Sequence, residues 1–543
     1  MTGLGLFLDG FHDSNVSCIN DQGYIEKAAA EERFTRYIQD GSAPLQSLKW
    51  IQTQCESFDY CVIPGLSLDE SVKQIGDESQ SNELVKILAD FRERKIRDLG
   101  IGHLERIYVP HLQAHASSAF FCSNFDEAYV LVADGGNVWD PWTCALYHGK
   151  GNLLRCMDIG DYEFTDLYMF ATALLGFKPN RHEGKLTGLA AYHEENSLLR
   201  EKFWELRHQF RLSRKTLASQ YLKWKDVTWK PRLVVDQNKI QEISSAFPDY
   251  NREQVAYEAQ LLTEQEVVEY LNNHLPNFNL PICVAGGLFA NIKLNKTLID
   301  MGFPQIYIHP AMGDAGLSVG GLLYVSSMKG QRNFLENICL GPAYSDDEIV
   351  KKKKKYQLNY IRQDDVEIFI AHSLADGKLV GRMDGLLEYG PRALGNRSIL
   401  CSAQDREQIE LLNLNLRRDE FMPFAPSIIE EHFEECVVNG KTMREPSLWM
   451  TIACDATPTF RSYAPALVHV DNTIRPQCVS QELFPTYHKI LNEYYNLTGV
   501  PVVLNTSFNM HGEPIICSPE DAIETFIKAR IDILAIGNFI VVR

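Results

Sequence analysis

Pro110 to Gly136 reads PHLQAHASSAFFCSNFDEAYVLVADGG, and its two halves carry different periodicities. His111 and His115 lie four residues apart in an Ala/Ser/Phe-rich run that follows a proline and lacks internal Gly or Pro. Proline suits the first turn of a helix, and i, i+4 side chains share a helical face, so the two imidazoles can converge on one point. Ala128 to Val132 is apolar and β-branched and predicts a short buried strand. It runs into Asp134-Gly135-Gly136, where a carboxylate leaves the strand on a flexible turn. Two histidines and an oxygen donor at the mouth of a sheet predict a divalent-metal site open toward substrate. Leu112 stands where a zinc protease of HExxH type carries its glutamate, which argues against that class. A second carboxylate, Asp314 in IHPAMGDAGLSVGGLLY, is again placed between a strand and a helix start, where ligands gather in α/β proteins.

Outward from this stretch the pattern repeats. Residues 4–31 read as strand, turn, strand, polar turn, strand, with Asp9-Gly10 after the first strand and His12, Asp13 and Ser14 following. AYVLVADGG, TCALY, HGKG and NLLRCMDIG repeat that meander downstream, so an internal duplication is expected. Two such halves, each offering an Asp-Gly loop to a phosphate, describe an actin-like ATPase architecture. Between and after them, Glu183 and Lys185 flank Gly184 in RHEGKLTGLAAY. PICVAGGLFANIKLNKTL predicts strand, Gly286-Gly287 turn and a helix containing Asn291 and Asn295, with glycines that let backbone amides approach a phosphate or purine. Residues 194–280 are mixed charged and aromatic, read as helical, and chemically uninformative.

After Lys351 to Lys355, read as a solvated stretch, a helix (VEIFIAHSLADG) and a strand (KLVGRM) lead into EYGPRALGNRSIL with Arg392 and Arg397. Arg417 and Arg418 are adjacent in NLNLRRDEFMPFAPSI, and Arg475 lies in DNTIRPQ. In GVPVVLNTSFNMHGEPIICSPEDAI a buried strand is expected to deliver Asn505, Thr506 and Ser507 to a loop. Arginine recognises phosphate bidentately, so five arginines on turns beside glycines and strand ends predict a polyanion site.

Composition bounds the classes. At 543 residues two or three domains are expected. The 45% hydrophobic and 23% charged content is that of a soluble globular chain. MTGLGLFLDGFHDS has no basic start and meets Asp9 early, so it does not read as a signal peptide, and no apolar run of about 18 residues predicts a membrane span. Thirteen cysteines without a CxxC pair suggest reduced thiols in a cytoplasmic protein, with Cys18, Cys122 and Cys283 packing as small hydrophobes. A formal charge of −18 argues against holding long nucleic acids by their phosphates.

Nine motifs, in order, carry a resemblance. They are HDS at His12, AAAEERFTR at Ala28 to Arg36, HLQAHASSAF at His111, EGKLTGLAAY at Glu183 and GGLFAN at Gly286. MGDAGL at Met312, EYGPRALGNRS at Glu388, RRDEFMPFAPS at Arg417 and VLNTSFNMHGEPI at Val503 complete the set. Together they resemble the NodU/CmcH-type O-carbamoyltransferase family over nearly the whole chain. The resemblance implies an α/β protein with an N-terminal actin-like domain (a duplicated RNase H-like domain similar to the tRNA threonylcarbamoyl transferase), over 1–345. A C-terminal YrdC-like α/β domain would occupy 346–543. It implies that the C-terminal site forms carbamoyl-adenylate from carbamoyl phosphate and ATP with magnesium. The N-terminal site would pass the carbamoyl group to an acceptor hydroxyl near a bound iron(II) or similar metal on His111, His115, Asp134 and Asp314. Asp9, Gly135, Gly136, Glu183, Lys185, Gly286, Gly287 and Asn291 would bind the adenylate there. Arg392, Arg397, Arg417, Arg418, Arg475, Asn505 and Ser507 would hold ATP and carbamoyl phosphate. His12, beside Asp13, is the candidate general base, since imidazole titrates near neutral pH. Met422 stands where the family usually has arginine, so one charge of the carbamoyl phosphate and ATP site would come from elsewhere or that step would be weaker.

Two rivals are a fused threonylcarbamoyl-adenylate synthase and tRNA transferase, which the acidic charge disfavours, and a non-catalytic actin-like ATP-binding protein. The latter leaves the second arginine-rich domain and the His-His-Asp-Asp set without a purpose. The acceptor, a small natural product or saccharide, is not named by the residues, and the oligomeric state is left open.

Overall fold

The computed structural model describes residues 1–8, 12–55, 57–65, 89–90, 92–135, 142–162, 164–192, 195–206, 245, 250–356, 358–404, 406–418 and 422–543. Asp9, Gly10 and Gly136 therefore lie outside the described residues, as does most of 207–249. Two compact units divide the chain: Met1–Glu31 with Gln39–Leu335, and Glu32–Ile38 with Glu336–Arg543. The division falls at Leu335/Glu336 rather than after residue 345, and the short Glu32–Ile38 segment packs with the second unit.

The first unit holds two five-stranded sheets. One is built from β1 (Gly3–Phe7), β2 (Asn15–Ile19), β3 (Ile25–Ala30), β4 (Tyr60–Pro64) and β5 (Glu105–Val109), in the order β3-β2-β1-β4-β5. The other uses β6 (Glu127–Ala133), β7 (Cys144–Lys150), β8 (Leu153–Gly160), β9 (Ile282–Ala285) and β10 (Ile306–Ile308), in the order β10-β9-β6-β7-β8. Each sheet has an antiparallel three-stranded meander joined to two parallel strands. Read from the meander, the two orders are the same, which is the duplication expected from the repeated Asp-Gly meander. One boundary differs: His148, Gly149 and Lys150 continue β7, and the turn begins at Gly151, whose φ is +55°.

After β5 comes the helix His111–Cys122, and after β10 a 3-10 turn Asp314–Gly316 and the helix Leu317–Met328. Eleven of the twelve residues of His111–Cys122 are buried, because the helix packs on β6 and β9 and against Leu317–Met328, which packs on β1, β2 and β4. Each helix thus lies against the sheet it did not come from. A helix buried all round must be apolar or small on every face, and the HLQAHASSAFFC sequence meets that demand.

The second unit is built on an eight-stranded mixed sheet. Its strands run in the order Tyr360–Arg362, Phe539–Val542, Ile533–Ile536, Val380–Met383, Arg397–Ser402, Val502–Ser507, Ala425–Ile429, Gln477–Val479. Helices Val366–Ala375 and Pro485–Thr498 pack against each other beside it, giving the expected α/β class. The thirteen cysteines are free thiols. Among the described residues no helix is long and apolar enough to cross a membrane.

Candidate functional site

His111 and His115 stack on the first two turns of their helix and turn their Nε2 atoms to one point. His111 Nε2 is 3.3 Å from Asp134 Oδ2 and 3.4 Å from Asp314 Oδ1, and His115 Nε2 is 3.2 Å from Asp314 Oδ1. One donor atom from each of the four residues lies within 4.8 Å of all the others. Ligands about 2.1 Å from one ion stand roughly 3.0–3.4 Å apart at right or tetrahedral angles, so these spacings fit a single divalent cation. The donor set fits as well: two imidazoles and two carboxylates balance a 2+ charge and suit iron(II), manganese or zinc. Burial by itself would raise the Asp134 carboxyl. The His111 hydrogen bond, the charges of His115 and His111 and the Gly287 N–H outweigh it and hold the group below the usual carboxylate range. An ionised carboxylate is the form a metal takes.

His12 joins this cluster. Its Nδ1 is 3.0 Å from Asp13 Oδ2 and 3.8 Å from Asp314 Oδ2. A proton on Nδ1 directed at those carboxylates leaves the lone pair on Nε2. Asp13 has a left-handed backbone, φ +55°, which turns its carboxylate back onto His12.

In the second unit, Arg392, Arg418 and Arg475 act on one another. Burial first, then the charges of Arg392 and Arg418, pull the Arg475 guanidinium well below its ordinary value, and burial pulls Arg392 down to about 10. Both shifts are of the kind an entering anion relieves. The Arg418 guanidinium stacks 4.0 Å over the Phe424 ring, which fixes it flat.

Residues 69–323 match the family description Carbamoyltransferase N-terminus, and residues 371–543 match Carbamoyltransferase C-terminus. The nodulation protein NolO of Bradyrhizobium diazoefficiens is 30% identical over 79% of this chain and 78% of its own length. The chain belongs to the carbamoyltransferase family. An uncharacterized Synechocystis protein is 31% identical over 98% of this chain and 95% of its own length. Among solved structures, full-length HypF in its phosphate- and nucleotide-bound form gives a TM-score of 0.30 at 11% identity, covering 60% of this chain and 46% of HypF, a likeness too low to bear on function.

The remaining expected residues of this carbamoyltransferase divide into two groups. Gly286 has φ +104°, and a Cβ there would meet the Ala133 carbonyl oxygen at 2.1 Å, so only glycine lets β9 end against the end of β6. Gly287 donates its N–H to Asp134 Oδ1 at 2.8 Å. That amide aims the carboxylate. Gly135 is exposed beside it. Glu183 accepts the Asn180 N–H at 2.5 Å, and Lys185 lies 5.6 Å over the Phe177 ring, so each side chain has a local partner.

Other expected ligand residues have protein partners of their own. Asn291 caps the helix Ile292–Asp300 through the N–H groups of Lys293 and Leu294, and its amide pairs reciprocally with Gln260. Its oxygen accepts three hydrogen bonds and its NH2 donates one. Arg397 is fully buried and donates to the carbonyls of Asp384, Asn396, Pro342 and Gly385, which makes it a brace between the backbone before and after the 386–395 loop and Pro342. Asn505 and Ser507 stay within the strand Val502–Ser507 instead of entering a loop, and the Asn505 amide donates to Ala393 O, Ser427 Oγ and Gln477 Oε1. Arg417 is exposed with φ +58°.

Two residues that sequence reasoning did not single out shape these loops. Glu388 Oε1 accepts the N–H groups of Leu394, Asn396 and Arg397, and Gln477 bridges Leu394 O, Ser427 and Asn505. Both lie inside motifs, yet nothing local distinguishes a buried carboxylate from a surface one.

Proposed function

We propose that this carbamoyltransferase is ATP-dependent, works on a hydroxyl of a small natural product or saccharide, and divides the reaction between its two units. In the second unit carbamoyl phosphate, ATP and one water would give carbamoyl-adenylate, phosphate and pyrophosphate. Arg392, Arg418 and Arg475 would hold the phosphates; their mutual repulsion is relieved by a polyanion. Adenylation is needed because the carbamate carbonyl is conjugated to an anionic oxygen and is a poor electrophile. In the first unit the acceptor hydroxyl would attack the carbonyl, the C–O bond to AMP would break, and the hydroxyl proton would pass to His12 Nε2.

The observation that carries this reading is the placement of His12 beside Asp314, against the His-His-Asp-Asp cluster. His111, His115, Asp134 and Asp314 would hold an iron(II)-like cation, which when bound would polarise the carbonyl and offset phosphate charge. Asp13 keeps the proton on His12 Nδ1 and so keeps Nε2 basic.

His12→Asn tests the division. AMP and pyrophosphate should still form, and only with carbamoyl phosphate present, while carbamoylated acceptor falls by about 10²–10⁴. Parallel loss of both activities in a folded His12→Asn protein, or pyrophosphate release without carbamoyl phosphate, would rule it out.

A further inference from the structure

Asn15 opens β2 and is fully buried. Its Nδ2 donates to the Asp13 carbonyl at 2.6 Å and to the Asp314 carbonyl at 2.9 Å, the second across 299 residues of chain. Its Oδ1 accepts the N–H of Ser318 at 3.3 Å, in the first turn of the helix Leu317–Met328. One amide therefore ties the turn that carries His12 and Asp13 to the turn that carries Asp314. Its orientation is fixed by chemistry, since only the NH2 end can face two carbonyls.

We propose that Asn15 is a positioning residue that sets the Asp314 carboxylate for metal binding and holds His12–Asp13 against it. The proposal rests on the reading of the His-His-Asp-Asp cluster as a metal site. The backbone on both sides needs such a brace. Asp13 is held in a left-handed conformation, and Asp314 starts a 3-10 turn of only three residues. Without the two N–H bonds, the Asp13 carbonyl would lose this tie and the Asp314 carbonyl would keep only the Leu317 N–H, so the carboxylates that face His111, His115 and His12 would be less firmly set. Partners one bond removed from a metal typically change its affinity by about 10–100-fold.

The experiment measures Mn²⁺ affinity of the full chain by calorimetry, with thermal unfolding recorded in parallel. Asn15→Ala removes both donors without changing charge. Asn15→Ser keeps a single donor and covers the case in which the alanine variant does not fold. Ser17→Ala, a buried change two residues along the same strand, controls for general loosening of β2. The expected result is at least tenfold weaker Mn²⁺ binding in Asn15→Ala, a smaller loss in Asn15→Ser, and less than a twofold change in Ser17→Ala. Folded Asn15 variants that bind Mn²⁺ like the parent would overturn the positioning role and leave the metal site standing. A parent chain that binds no Mn²⁺ would overturn both.

Discussion

Glu183 shows what burial does to a single carboxyl. Burial raises it to about 7, against the lowering effect of the N–H groups of Glu183 itself, Asn180, Arg181 and His182. Its folded value lies above the unfolded value near 4.5, so its contribution to stability is complete below pH 4.5 and is lost as pH rises through 7. Glu183→Gln keeps an acceptor for Asn180 and removes that loss. The stability of the variant relative to the parent should therefore be greater at pH 8 than at pH 5, by on the order of 1–3 kcal/mol, read from urea unfolding at the two pH values. Arg475 and Arg397 make opposite predictions from the same residue type. Arg475→Ala relieves repulsion from Arg392 and Arg418, so thermal stability should hold or rise while ATP binding weakens by roughly ten- to a hundredfold, as calorimetry would show. Arg397→Ala removes a fully buried side chain that donates to four backbone carbonyls and should cost about 3 kcal/mol or more in unfolding free energy.

At the scale of elements, the site depends on how closely two helices approach. A Cβ on Gly320 would meet the Ala114 carbonyl oxygen at 2.0 Å and Ser118 Cβ at 3.1 Å, and one on Gly5 of β1 would meet the Ser318 carbonyl oxygen at 2.4 Å. These two glycines let Leu317–Met328 nest between β1 and the helix His111–Cys122. Ala114 lies directly before His115, so any shift there moves a proposed metal donor. Gly320→Ala should destabilise the protein by roughly 1–3 kcal/mol and weaken metal binding with it. Thermal unfolding and metal content of the purified variant check both. The other end of this design is the AAAEER motif, where Glu31, buried at the end of β3, accepts the N–H groups of Gln46 and Ser47 and the Ser47 hydroxyl. It caps the helix Leu45–Gln54 with a carboxylate from a distant strand.

For the whole molecule, the proposed reading puts metal and phosphate chemistry on different units. His111→Ala with His115→Ala, or chelation of the parent, should therefore remove bound metal and carbamoyl transfer together. Pyrophosphate release from ATP and carbamoyl phosphate should persist, because Arg392, Arg418 and Arg475 all belong to Glu336–Arg543. Metal analysis beside a pyrophosphate assay decides it, and equal metal content in variant and parent would refute the ligand assignment.

The sequence alone determined the elements and their repetition. Periods of two and of 3.6 residues are local properties, and Gly and Pro punctuate them, so the Pro110–Gly136 stretch and the duplicated meander were legible without a structure. The His-His-Asp-Asp set was legible for the same reason, since each member sits at a strand end or on one helical face. Tertiary structure alone decided which polar side chains brace the backbone. Asn291, Arg397 and Asn505 look like ligand residues in their motifs, yet each bonds to backbone carbonyls, side-chain amides or N–H groups within the protein. Asn15 looks like nothing in particular, and it joins two turns 299 residues apart. A buried polar group must find its partners wherever folding brings them, and no local pattern records a partner that distant.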